Sequence, residues 1–201
     1  MEIDIRGKAF AGKPVLGAIR LSIGAGERVA ILGPSGIGKT TFLRIVAGLD
    51  RAYDGSVLGA AETGVVFQEP TLLPWRNALA NITLTTGADA GLARALMAEV
   101  GLAGKEAHFP HQLSLGQQRR LALARAFATR PATLLMDEPF VSLDEETAER
   151  MLALTEALLT RAGASLIFVT HDPKEAARLN ARVLLLQGSP ARIATPSPGA
   201  L

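Results

Sequence analysis

Eight consecutive residues, Gly33-Pro34-Ser35-Gly36-Ile37-Gly38-Lys39-Thr40, have the types and spacing needed to hold a chain of phosphates. Glycines let the backbone curl until several N–H groups converge on phosphate oxygens, next to the positive N-terminus of the helix that follows. Lys39 would then reach the β- and γ-phosphates of a nucleoside triphosphate, and the Thr40 hydroxyl would ligate Mg²⁺. The alternative is a glycine-rich turn before an ordinary helix. At this composition a chance match to G-x-x-x-x-G-K-[ST] has odds on the order of one per cent. The strand pattern before the loop and the helical pattern after it lower those odds further. Nucleotide binding is the expectation.

A second group with chemical capacity ends the apolar run Thr133-Leu134-Leu135-Met136-Asp137-Glu138-Pro139. The carboxyl ends of strands in an α/β sheet form the ligand crevice, so both acids should face the same phosphates. Asp137 would hold Mg²⁺, directly or through water, and Glu138 would polarise an attacking water as a general base. An acidic turn after a buried strand is the plainer reading of such a pair standing alone, but here it accompanies a complete phosphate loop.

The elements that must position these groups read as an α/β fold. Val29–Leu32, Gly64–Phe67, Leu134–Met136, Leu166–Val169 and Val183–Leu186 are short continuous apolar runs, as expected of strands covered on both faces. Ile19, Leu21 and Ile23 alternate like a half-buried antiparallel strand, and Met1 to Arg6 alternates in the same way. Helical patterns span Lys39–Ala47, Leu92–Val100, Gly116–Ala128 and Glu145–Arg161, with Gly48, Gly101 and Gly163 placed as C-terminal caps. Strands alternating with helices imply a mostly parallel sheet with helices on both faces. From about Leu72 to Arg130 there are helical segments and no convincing strand, so this stretch reads as a helical insertion. The 201 residues suit one domain with a small inserted subdomain. The tail from Ser189, with Pro190, Pro196, Pro198 and Gly199, is expected to be a loose terminus.

Composition excludes some function classes. There is no cysteine, hence no disulfide framework and no thiolate metal site; a reducing, cytoplasmic setting is consistent with that. No apolar run approaches the ~20 residues of a membrane span, and the first residues do not resemble a signal peptide. The formal net charge is +2 with no long basic block, so nucleic acid is not an expected partner.

With these residues in place, the sequence resembles the ABC ATPase family, in order and along most of the chain. Gln68 ends the Val65–Phe67 run as the family's Q-loop glutamine does; the resemblance implies contact with Mg²⁺ and the attacking water, and sensing of a transmembrane partner. The family's L-S-G-G-Q signature appears as Leu113-Ser114-Leu115-Gly116-Gln117. Ser142-Leu143-Asp144 is similar to the D-loop. His171 stands where the family places its switch histidine, which would orient the γ-phosphate and water. Phe10 stands where an aromatic stacks on adenine, the alternative being a buried core aromatic. Thr41 is counted with the nucleotide-binding residues. The resemblance implies a P-loop NTPase (RecA-like) core with an antiparallel β subdomain and an inserted helical subdomain. It implies an ATPase that uses ATP and Mg²⁺, in which Lys39, Gln68, Glu138 and His171 carry catalysis. Two copies would sandwich two ATP molecules, each phosphate loop facing the other chain's Ser114, Gly116 and Gln117. The remaining implied partners are a transmembrane permease and, indirectly, a solute-binding protein, with the chain peripheral on the inner face of the cell membrane.

Leu115 replaces the first signature glycine. If that position needs φ > 0, leucine would be strained; if it needs only the N–H, leucine is tolerable. A regulatory nucleotide-binding subunit with weak hydrolysis is the rival reading that Leu115 motivates. ABC-type ATPases of DNA repair are the other rival, but the interval from Gln68 to Ser114 leaves no room for the long coiled coil of chromosome-type members. The stretch Gln68-Glu69-Pro70-Thr71-Leu72-Leu73-Pro74-Trp75 resembles the Q-loop of importers for nitrate, sulfonate, taurine and related small solutes. Trp75 is expected to pack inside the helical insertion, with a permease-facing groove as the alternative. His108 and His111, separated by Pro110, do not form a metal pair. Arg119, Arg120, Arg125 and Arg130 are expected to lie on a solvated face.

Overall fold

The computed structural model describes residues 1–59 and 63–194. Five strands form the parallel centre: β4 (Arg28–Leu32), β6 (Thr63–Val66), β7 (Thr133–Asp137), β8 (Ser165–Thr170) and β9 (Arg182–Gly188), in the spatial order β9-β4-β8-β7-β6. β7 and β8 are buried at every residue, which is why they read as unbroken apolar runs. Successive residues of β4 serve opposite faces. Val29 and Ile31 join a core with Phe42, Leu43, Ile45 and Val46 of α1 (Lys39–Val46), while Ala30 and Leu32 join a second core on the other face. Because the central strands are parallel, the chain leaves β4, β6, β7 and β8 at the same edge of the sheet.

An antiparallel layer completes the sheet. β1 (Glu2–Phe10) pairs with β2 (Lys13–Leu16), β3 (Ile19–Ser22) and β5 (Asp54–Leu58). Residues from β1 and β3, including Ile3, Ile5, Ile19 and Leu21, share the α1-side core. Between β6 and β7 the described chain holds α2 (Ala78–Thr86), α3 (Ala90–Glu99), a short 3-10 turn at Pro110–Gln112 and α4 (Leu115–Ala128), with no strand. Asn77 and Asp89 cap the first two helices by accepting backbone N–H bonds. Ser114 and Gln117 form a reciprocal capping box on α4. The second core combines these helices with α5 (Glu145–Ala162) and α6 (Pro173–Arg178). Gly48, Gly101 and Gly163 have φ of 70°, 69° and 63° at helix ends, the left-handed stop that glycine allows.

Three sequence expectations need correction. Ser189 to Ala194 is not a loose tail: β10 (Ala191–Ala194) pairs with β9 as a hairpin and meets β2 at Ala191, which is buried. Tertiary pairing overrides the Pro- and Gly-rich composition there; Pro196, Pro198 and Gly199 lie outside the described residues. Trp75 does not pack inside the helical segment but is 67% exposed. Of the arginines after the signature, Arg130 is exposed as expected, but the other three are not a solvated set. Arg119 is buried with Nη1 donating to the Val141 carbonyl, Arg120 donates to Val100, and Arg125 donates to the Pro70 and Thr71 carbonyls. Each guanidinium supplies donors to loop carbonyls that the helices leave open.

Candidate functional site

The loop from Gly33 to Gly38 leaves β4 and enters α1, whose first residues are Lys39 and Thr40. Local geometry explains its glycines. Gly38 has φ 112°, and a Cβ there would lie 2.9 Å from Leu16 Cδ2 and 3.1 Å from Val15 Cγ1. A Cβ on Gly33 would lie 2.7 Å from the Leu186 carbonyl oxygen. Pro34, Ser35 and Gly36 are exposed, and Ile37 packs partly against the α1-side core.

Lys39 is 4% exposed, and its Nζ donates to the Gly33 carbonyl (2.8 Å) and the Pro34 carbonyl (3.1 Å). Glu138 Oε1 lies 3.1 Å from the same nitrogen. The ammonium is thus aimed along the inside of its own loop by three acceptors. Thr40 Oγ1 donates to Asp137 Oδ1 at 3.1 Å. Burial at the end of β7 pushes the Asp137 carboxyl above its ordinary range; the Thr40 hydrogen bond works against this and the Glu138 charge adds to it. A carboxylate held this way favours a neighbouring cation. The hydroxyl, carboxylate and amide oxygens of Thr40, Asp137 and Gln68 line one cleft of about 450 Å³. This all-oxygen donor set fits Mg²⁺, which takes one or two protein ligands beside phosphates and water.

Glu138 has φ 44°, a left-handed conformation that glutamate seldom adopts, and its N–H donates to the Val169 carbonyl at 3.0 Å. That bond ties the β7 exit to β8 and turns the carboxylate back toward the phosphate loop. His171, at the β8 exit, is half exposed, with Nδ1 3.8 Å from Glu138 Oε2. Its loop is fastened from behind: the Thr170 hydroxyl donates to Glu175 Oε2 at 2.6 Å and accepts from the Asp172 N–H at 3.0 Å. The sequence carried no signal for Thr170 and Glu175 as supports of His171.

A cleft of about 540 Å³ brings Phe10, Val15, Ser35, Gly36, Gly38, Lys39, Thr40, Thr41, Gln68 and Glu138 together. Phe10 is 50% exposed, so it is not the buried core aromatic that was its alternative. Val15, which the sequence did not single out, forms part of the wall between the ring and the loop.

Ser114, Leu115 and Gly116 line a different cleft, also about 540 Å³, together with Ser142, Leu143 and Asp144. No residue lines both this cleft and the phosphate-loop cleft. Gln117 closes the capping box with its Oε1 accepting from the Ser114 N–H at 2.9 Å. Leu115 is the first residue of α4, with helical backbone and no positive φ. The strained alternative therefore does not apply, and the N–H groups of the first helical turn keep their direction. His111 stacks on Phe109 with centroids 6.0 Å apart.

The ABC transporter family profile matches residues 16–141. The chain is 47% identical over 187 residues to the aliphatic sulfonates import ATP-binding protein SsuB 2 of Rhizobium johnstonii, covering 89% of this chain and 74% of that protein. It is likewise 47% identical over 194 residues to the aliphatic sulfonates import ATP-binding protein SsuB of a Mycobacterium species, covering 92% of this chain and 79% of that protein. Among solved structures, the ATP-binding cassette MJ0796, in a dimeric post-hydrolysis state bound to ADP and Pi, superposes with a TM-score of 0.81 at 28% identity, covering 96% of this chain and 95% of that one.

Proposed function

The chain belongs to the ABC transporter family and has its P-loop NTPase fold, and from that premise we propose that it couples Mg-ATP hydrolysis to import of a small sulfonate-type anion through a membrane permease. The observation that carries the catalytic part is the convergence of Lys39, Thr40, Asp137 and Glu138 at one edge of the parallel sheet. The solute class comes from the relatives' names.

In this reading the backbone N–H groups of Ser35 to Lys39 and the Lys39 ammonium offset the triphosphate charge, and the Thr41 hydroxyl adds a donor. Thr40, Asp137 and Gln68 would hold Mg²⁺, which neutralises charge developing on the phosphate oxygens. Glu138 accepts a proton from the attacking water, His171 orients that water and the γ-phosphate, and Phe10 stacks on the base. The signature residues Ser114 and Gly116 line a cleft apart from the phosphate loop, which supports a second copy completing each site, with Gln117 of the same signature beside them in sequence. The chain would act as one ATPase domain, with its helical insertion (about 72–130) turned toward the permease on the inner face of the membrane. A solute-binding protein would deliver the anion to that permease.

The test is reconstitution with a sulfonate-importer permease in liposomes, loaded with a solute-binding protein and an alkanesulfonate. ATP-dependent uptake that disappears with Lys39→Ala is the expected result. Phosphate release without any sulfonate uptake would reject the solute class while leaving the ATPase intact.

A further inference from the structure

We propose that Lys8 is a positioning residue for the nucleotide base: its buried ammonium braces the Phe10 ring from one face and leaves the opposite face to stack on the base. The proposal rests on the reading of Phe10 as the base-stacking residue and deepens it.

Lys8 sits on β1 and is 5% exposed, which is unusual for lysine unless the ammonium is paired. Its Nζ donates to Asp50 Oδ1 at 2.8 Å and to the Ala52 carbonyl at 2.8 Å, with Asp50 Oδ2 at 2.7 Å. These acceptors pin the nitrogen. Hydrogen bonds from Lys8 hold the Asp50 carboxyl below its usual range, so the carboxylate stays charged and the clamp stays closed at neutral pH. The same nitrogen lies 4.4 Å from the centroid of the Phe10 ring, inside cation–π range and screened from water by its burial. A bulge interrupts the β1–β2 pairing between Lys8 and Ala9, a device that re-aims side chains next to functional sites.

Two consequences follow from this arrangement. The cation fixes the ring before any ligand arrives, which lowers the entropy lost when a base stacks on it. It also draws π density toward the braced face, leaving the exposed face more attractive to an electron-rich purine. Asp50 itself follows the C-terminal end of α1, where its N–H donates to the Arg44 carbonyl at 3.1 Å. Lys8 thereby joins the aromatic platform to the helix whose opposite end carries Lys39 and Thr40. Base platform and phosphate loop then share one rigid support.

The experiment measures binding of Mg-ATP and of Mg-tripolyphosphate to the full chain by calorimetry. Variants are Lys8→Met, Lys8→Arg, Phe10→Ala and the Lys8→Met/Phe10→Ala pair. Lys8→Met is expected to weaken ATP about 3- to 10-fold and tripolyphosphate by less than about 2-fold, with no further loss when added to Phe10→Ala. Lys8→Arg should restore most of the loss. Equal weakening of both ligands would show general damage to the loop and overturn the proposal. Unchanged ATP affinity in Lys8→Met beside a weakened Phe10→Ala would overturn it while sparing the base-stacking reading. Unchanged affinity in Phe10→Ala would overturn both. If Lys8→Met does not fold, Asp50→Asn, which loosens the clamp with Lys8 intact, carries the same two-ligand comparison.

Discussion

Replacing Glu138 by glutamine tests the site most directly, because the two expected effects have opposite signs. Glutamine has the shape of glutamate and retains an oxygen acceptor, so the left-handed turn at φ 44° and the Val169 hydrogen bond are preserved. What disappears is the negative charge 3.1 Å from Lys39, between side chains that are 4% and 19% exposed. At this separation the gross attraction is about 5 kcal/mol for an effective dielectric constant of 20, and desolvation cancels the larger part. Released from that competition, Lys39 should hold a triphosphate more tightly by about 1–2 kcal/mol, which is roughly 5- to 30-fold. Loss of the general base should lower turnover at least about 100-fold. The assay pairs calorimetric ATP binding with phosphate release, alongside size-exclusion chromatography in ATP to follow dimer accumulation. Turnover within about threefold of the parent protein would refute the general-base assignment. A parallel fall in ATP affinity and turnover would refute the competition for Lys39 and point to a damaged fold.

Leu115→Gly should leave ATP-driven dimerisation and turnover within about twofold, because Leu115 already has helical backbone; its only expected cost is about 0.5–1 kcal/mol of helix stability, read by chemical denaturation. Asn81 is fully buried, donating to the Leu73, Arg76 and Asn77 carbonyls and accepting from the Leu73 N–H. Asn81→Leu should therefore destabilise the chain by about 2–4 kcal/mol in urea unfolding. Burial raises the Glu175 carboxyl above the ordinary glutamate range, against the lowering effect of the Thr170 hydrogen bond. The folded state then binds more protons than the unfolded one just above pH 4.5, and stability falls as pH rises through the raised value. Glu175→Gln, which can still accept from Thr170, should melt higher than the parent at pH 7, and the advantage should vanish below about pH 4.

The phosphate loop was legible in the sequence because its requirements are local. A curled backbone needs glycine at fixed intervals, and a lysine and a threonine must follow at the helix start. The same holds for the strand-ending pair Asp137 and Glu138 and for the glycine stops at Gly48, Gly101 and Gly163. Continuous apolar runs identified the central strands, since two-sided burial leaves no polar alternation to hide them. α2 escaped this reading because its Thr-rich stretch lacks a clear apolar period; Thr85 and Thr86 bond back to Asn81 and Ile82 carbonyls instead. The signal that could have located it was the pair of stops, Asn77 at one end and Gly87 at the other.

By itself, then, the sequence determined the nucleotide chemistry, the α/β class and the family, since each depends on residue type and short-range spacing. Only the tertiary structure decided the environments. It placed Phe10 half exposed beside the phosphate loop over a buried Lys8, left Trp75 in solvent, and turned Arg119 inward onto Val141. It also drew Ala191 to Ala194 into the sheet. These outcomes depend on partners far along the chain, such as Lys8 with Asp50, 42 residues apart, or Thr40 with Asp137, 97 residues apart. Burial and pairing across such distances follow from how the sheet and its helices close on one another, and no local pattern encodes that closure.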